Sequence, residues 1–332
     1  MNKKTFIIAE AGDNHNGDIN LAYKLIDVAK LSGADAVKFQ TFVTEDIICR
    51  NAEMAEYQKN NMGVEESQFD MVKKLELSFE QFRELKKYCD SIGIKFMTTA
   101  FDIKSIKFVV DDLNLDILKI PSGEITNYPY LVQTAKSGKD IILSTGMATI
   151  DEINDAINVL RQNGSGKISL LHCTTEYPAP LDSVNLNAIK TLQQEFNCEV
   201  GYSDHTKGIE VASYAVAMGA TIIEKHFTLD KNLPGPDHKA SLEPDELRDL
   251  VLKIREVEQI LGDGVKVPQP AEIKNIAIAR KSIVAKCDIK KGELFTEDNL
   301  ACKRPGDGIS PMKWNEIINT VATKDYKMDE KI

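Results

Sequence analysis

The sequence predicts an α/β protein: a TIM (β/α)8 barrel over residues 1–262, a linker at 263–280, and a small C-terminal domain at 281–332. Three observations predict it. Eight short, β-branched, nearly continuous apolar runs alternate with longer amphipathic stretches, the count and length of such a barrel. Every run carries polar or charged residues toward its end. The periodicity then stops after Leu261.

The runs are residues 5–12, 36–40, 95–101, 117–122, 141–146, 168–174, 199–205 and 221–227. Parallel strands covered on both faces lose the in–out alternation and read as continuous apolar segments. Helical periodicity follows most of them, at 20–32, 78–92, 150–163, 186–196, 208–218 and 245–261. A doubly wound open sheet is the competing arrangement. It rarely needs eight all-parallel strands, and no G-x-G-x-x-G follows the first run. Residues 41–77 break the rhythm as a long insertion carrying Tyr57, Gln58 and Glu76. Its length marks it as a functional lid or an oligomer contact. Past Leu261, the Gly- and Pro-rich stretch 262–271 (GDGVKVPQPA) reads as linker. The short elements beyond it form a domain small enough to need docking against the barrel or a partner chain.

The 332 residues carry a net charge of -10, with 42% hydrophobic and 28% charged residues. That charge argues against a bulk nucleic-acid binder. The apolar run at 6–9 is too short for a signal-peptide core and is interrupted by Glu10. No stretch approaches a membrane span, so a cytoplasmic enzyme with no membrane partner is expected. Six scattered cysteines form no C-x-x-C pair and read as reduced thiols.

A TIM barrel gathers its chemistry at the C-terminal ends of its strands. The run ends hold Glu10, Lys38 with Gln40, Thr98 with Thr99, Lys119 with Ser122, Ser144, His172 with Thr174, Ser203 with His205, and Glu224 with His226. Lys, Glu and His rarely occupy buried strand positions without partners. Residues two apart on a strand share a face, so Lys38 points with Gln40, Ser203 with His205, and Glu224 with His226. Two imidazoles on adjacent strands seven and eight suit one divalent cation, with Glu224 supporting them. Each histidine read alone would be a satisfied core residue. His172 and His238 are weaker ligand candidates, and His15 in DNHNG serves mainly to shape its loop. Lys38 and Lys119, ringed by Thr99, Ser122, Ser144 and Ser203, suit a phosphate and a carboxylate. The bland alternative pairs a lysine with Glu10 or Glu124 in a buried network. A Schiff-base lysine would not by itself require the histidine pair and ranks lower. A non-enzymatic binding protein does not account for the polar barrel mouth.

The segments IAEAGDNHNG, VKFQ, KIPSGE, LSTGM, LHCTTEYPAP, GYSDHT, EKHFTLDK, GPDHKASLEP and KRPGDGISPM, in this order over almost the whole chain, resemble the bacterial sialic acid synthase family. The C-terminal segment resembles the antifreeze-like SAF domain of these enzymes. The resemblance implies a domain-swapped homodimer whose small domain caps the partner's barrel. It implies condensation of phosphoenolpyruvate with an open-chain N-acetylated hexosamine, using Mn²⁺ (Mg²⁺ or Co²⁺ as alternatives). By the same resemblance His205 and His226 are the metal ligands, and Glu10 is a catalytic carboxylate. Lys38, Thr99, Lys119, Ser122, Ser144 and Ser203 bind phosphoenolpyruvate. Gln40, Tyr177 and Asp237 contact the sugar, joined by Arg304 from the other subunit. LHCTTEYPAP with GEITNYPYL looks closer to N,N'-diacetyllegionaminate synthases, which use 2,4-diacetamido-2,4,6-trideoxymannose. The alternative is N-acetylneuraminate synthase, which uses N-acetylmannosamine. The sequence departs from the family pattern at Asp13, Ala100 and Asp307.

Overall fold

The computed structural model describes residues 4–54, 59 and 67–332; Tyr57 and Gln58 of the insertion lie outside them. Eight parallel strands close a barrel in sequence order: β1 (Phe6–Gly12), β2 (Ala36–Thr41), β3 (Lys95–Ala100), β4 (Ile117–Ile120), β5 (Asp140–Ser144), β6 (Ile168–His172), β7 (Glu199–Asp204) and β8 (Ile222–His226). β1 pairs with both β2 and β8, with Glu10 opposite Lys38 on one side and His226 on the other.

The expected helices form at Ile19–Leu31, Phe79–Ile92, Ile150–Gln162, Asn187–Phe196, Glu210–Ala217 and Pro244–Leu261. Local chemistry sets several ends. Capping boxes at Ser78/Gln81 and Thr149/Glu152 satisfy the first free amides of two of them. Gly93 in the left-handed region stops the first of these. The helices Thr44–Ile47, Gln68–Lys73, Ile103–Lys107 and Tyr128–Ala135 were not anticipated. They are too short to show a helical period in a window of 11–18 residues.

The core has two layers. The larger lies between strands and helices, including Ile7, Leu25, Phe39, Phe82, Tyr202 and Phe227. The smaller fills the barrel floor with Ile8, Ala36, Met97, Ile142, Leu171 and Ile222. Moving two residues along these strands exchanges the apolar layer for Glu10, Lys38, Thr99, Ser144 and Glu224, all buried. The barrel interior is thus apolar at its N-terminal end and charged at its C-terminal end.

Gly201 shows how tight the floor is. A methyl group there would sit 2.3 Å from the Ile222 carbonyl oxygen and 2.7 Å from Leu171 Cδ2. Gly201→Ala is expected to destabilise the protein by about 1–3 kcal/mol through overpacking, read as a lowered denaturant midpoint. It should also lower turnover, because Ser203 lies two residues on along the same face of β7.

The chain divides into two compact units, Met1–Asp263 and Gly264–Ile332. The second contains an antiparallel pair, β9 (Ser282–Ala285) and β10 (Leu300–Lys303). Its own small core holds Ile283, Ala285, Ile289, Phe295, Leu300, Ala322 and Tyr326. Within the stretch read as linker, Pro270–Ala279 form a helix with no buried residue. All six cysteines are free. Among the described residues no helix is long and apolar enough to cross a membrane.

Candidate active site

The C-terminal mouth of the barrel opens into a cavity of about 490 Å³. Glu10, Lys38, Gln40, Thr99, Lys119, Ser122, Ser144, Tyr177, Ser203, His205, Glu224, His226 and Asp237 all line it. The strand reading needs small corrections. β4 ends at Ile120, and Ser122 opens a 3₁₀ turn, Ser122–Glu124, after Pro121. β7 ends at Asp204, so His205 is the first residue beyond the strand.

Two lysines meet two carboxylates at the base of the cavity. Lys38 Nζ lies 2.8 Å from Glu10 Oε2 and 3.5 Å from Glu224 Oε2, and donates to Thr99 Oγ1 at 3.0 Å. Lys119 Nζ donates to Glu224 Oε1 at 3.2 Å, and Ser203 Oγ donates to the same oxygen at 3.0 Å. The four charged side chains are at most 5% exposed. The two carboxylates differ because their surroundings differ. Burial opposes ionisation of Glu224, yet Lys119 and Lys38 outweigh it and hold its pKa near 2. Glu10 is raised to about 7 by burial, which the attraction of Lys38 does not offset, and the charge of Glu224 adds to the rise. Glu10 can therefore gain or lose a proton near neutral pH, as a general acid or base requires.

His205 and His226 stand beside this quartet with ring centroids 5.7 Å apart. His205 Nδ1 is 2.6 Å from the Thr174 carbonyl oxygen. A carbonyl only accepts, so Nδ1 carries the proton and Nε2 keeps its lone pair. Ser203 Oγ is that lone pair's neighbour at 3.3 Å. His226 Nδ1 is buried without a hydrogen-bond partner among the described residues; Asp237 Oδ2 lies 3.8 Å away. Burial lowers the pKa of both rings, to about 4 for His205, so both are neutral at pH 7. Neutral imidazoles, one oriented by a carbonyl and one with an orphaned buried nitrogen, fit a divalent cation. Among the described residues no group of three or more His, Cys, Asp or Glu is arranged as a metal cage. His205 and His226 are the residues that would hold such an ion.

The remaining residues singled out in the sequence are held by local partners. His172 turns away from the cavity, its Nε2 2.7 Å from the Val184 carbonyl. Thr174 Oγ1 donates to Ser183 O at 2.9 Å, and Thr98 Oγ1 pairs with Thr41 Oγ1 at 2.7 Å. His238 is held by Thr228 Oγ1 and Asn16 Oδ1, and His15 accepts from the Gly17 amide. Glu124 lines the cavity, where it accepts from the Asn127 side chain. Arg304 lies exposed in the second unit, its Nε donating to Ala279 O.

Asp13, a departure from the family pattern, lines the cavity, as does Thr175. Cys173, 3.3 Å from Ser122 Oγ, was not anticipated. Alternation continued from Leu171 would have found Cys173. Phe42, Ile47, Ile48, Met71, Val72 and Leu75 give the cavity an apolar wall built by the insertion.

Comparison with known proteins accords with this geometry. The NeuB family profile matches residues 25–266, and the SAF domain profile matches residues 280–330. An N,N'-diacetyllegionaminic acid synthase from Campylobacter jejuni is 55% identical over 332 residues, 99% of each chain. One from Legionella pneumophila is 49% identical, covering 95% of this chain and 89% of that one. The crystal structure of an N-acetylneuraminic acid (sialic acid) synthetase from Leptospira borgpetersenii, in complex with citrate, matches with TM-score 0.72 and 38% identity. That match covers 83% of this chain and 91% of that one.

Proposed function

The chain belongs to the NeuB family, and from that membership we propose that it is an N,N'-diacetyllegionaminate synthase. It joins phosphoenolpyruvate to open-chain 2,4-diacetamido-2,4,6-trideoxymannose. C3 of phosphoenolpyruvate attacks the aldehyde carbon, water adds at C2, and phosphate leaves. The observation that carries this reading is the charge layout of one cavity: two buried lysines beside two neutral imidazoles and a carboxylate poised near neutrality.

Lys38 and Lys119, with Thr99, Ser122, Ser144 and Ser203, bind the phosphate and carboxylate and fix which face of C3 meets the aldehyde. Glu10 moves the proton of the attacking water. Gln40, Tyr177 and Asp237 contact the sugar. A divalent cation held by His205 and His226, most suitably Mn²⁺ with Mg²⁺ or Co²⁺ as substitutes, would supply Lewis acidity toward the aldehyde. The protein works in the cytoplasm as a homodimer. Residues 281–332 of one subunit cap the partner's barrel, excluding water and bringing Arg304 to the sugar.

The identity of 55% to a diacetyllegionaminic acid synthase, against 38% to a sialic acid synthetase, favours the diacetamido sugar. Mass spectrometry of products formed from phosphoenolpyruvate with each sugar offered separately tests this. The expected result is a diacetylated nine-carbon acid from the diacetamido sugar, with N-acetylmannosamine a poor substrate. Preference for N-acetylmannosamine would turn the assignment to N-acetylneuraminate synthase. Pyruvate trapped on the protein by borohydride would replace it with a Schiff-base lyase.

A further inference from the structure

We infer that Asp13 is a specificity-determining residue on the sugar side of the cavity, accepting a hydrogen bond from an amide N–H or hydroxyl of the amino sugar. This inference rests on the proposed synthase reading and deepens it. Asp13 follows β1 directly, in a loop held at both ends. The Asn14 side chain donates to the Phe227 carbonyl at 2.8 Å and to Ser241 Oγ at 2.9 Å, and both bonds are buried. The Asn16 amide closes a turn on the Asp13 carbonyl at 2.9 Å. The backbone is therefore fixed, and Asp13 lines the cavity.

A turn aspartate often earns its place by accepting from the amide two residues on. Asp18 does so, accepting from the Asn20 amide at 2.8 Å. The Asp13 side chain makes no such bond: its Oδ1 is buried with no partner among the described residues. A buried carboxylate oxygen without a donor is costly, so a ligand that brings one is favoured. Burial, and then the like charges of Asp237 and Glu10, push its carboxyl well above the usual carboxylate range, with Lys38 opposing.

These surroundings select the ligand. Phosphoenolpyruvate is an anion throughout and suits the two lysines, whereas a carboxyl group held among Asp237 and Glu10 offers it no cation. The diacetamido sugar is uncharged and carries two amide N–H groups and several hydroxyls. The cavity is thus divided, with Lys38 and Lys119 on the anion's side and Asp13 on the side of the neutral donor. A site built to accept from a substrate N–H or O–H discriminates strongly against a compound lacking it, because the acceptor is then left unpaired.

The test uses full-length Asp13→Val and Asp13→Asn, each substrate being varied at saturating concentration of the other. Asp13→Val is expected to raise the KM for the sugar by at least about tenfold, while the KM for phosphoenolpyruvate stays within about twofold. Asp13→Asn keeps an acceptor oxygen and should recover most of the loss. Thermal unfolding verifies that each variant folds, and Asp13→Ala carries the comparison if the valine variant does not: a sugar KM raised well beyond that of phosphoenolpyruvate supports the role, and equal effects oppose it. Wild-type protein is assayed first. Failure of the wild type to make product sinks the synthase reading. Normal wild-type turnover with an unchanged sugar KM in Asp13→Val, or an equal rise in both KM values, overturns the role of Asp13 alone.

Discussion

Lys38→Met is expected to remove turnover almost entirely and to lower stability by about 3–5 kcal/mol. The two effects share one cause. Lys38 Nζ is the closest cation to Glu10, at 2.8 Å, and also contacts Glu224 at 3.5 Å. Glu224 keeps Lys119 when Lys38 is lost. Among the described residues Glu10 then keeps no ion-pair partner and must be buried alone, either charged at high cost or neutral. Removing one member of a buried pair is far more damaging than replacing both with apolar groups. The double variant Lys38→Met/Glu10→Gln should therefore regain much of the stability while remaining inactive. Denaturant unfolding measures the first, and phosphate release the second. A single variant as stable as wild type would show that the quartet is not an electrostatic unit. A double variant with restored turnover would remove Lys38 and Glu10 from the chemistry.

The barrel was legible because its signal is long-range and repetitive: eight apolar runs at regular spacing, each ending in a polar residue. The site was legible wherever strand alternation holds. Lys38 implies Gln40, and Glu224 implies His226, by a period of two. The same logic fails where a strand stops. His172 was a weaker ligand candidate because it is polar and near a strand end, but it lies on the outer face, where the Val184 carbonyl satisfies it. Asp13 sits in a loop with no period to betray its direction. The apolar wall was hidden because the helices Thr44–Ile47 and Gln68–Lys73 are only 4 and 6 residues long. Pairing between lysines and carboxylates was foreseen only in part. Lys38 with Glu10 was considered, whereas Glu224 was read as metal support and proved to bridge both lysines.

Replacing either His205 or His226 by alanine is expected to weaken Mn²⁺ binding by more than about 100-fold, beyond the 10–100-fold cost of losing an outer-shell partner. Turnover should fall to near background. Each ring presents a ring nitrogen with no strong internal partner: His226 Nδ1 is orphaned and buried, and His205 Nε2 keeps its lone pair because Nδ1 is committed to Thr174 O. Burial keeps both rings neutral, so no proton competes with a cation at pH 7. Both rings belong to the proposed cation site, so losing either should be felt. Electron paramagnetic resonance titration with Mn²⁺ reads affinity independently of activity, and circular dichroism verifies the fold. His226→Gln is the sharper variant, since it fills similar volume and offers a weaker amide oxygen as donor. Undiminished Mn²⁺ affinity in both alanine variants would leave the orphaned nitrogen unexplained and move the cation elsewhere. Wild-type turnover that survives exhaustive chelation would sever the histidine pair from the reaction altogether.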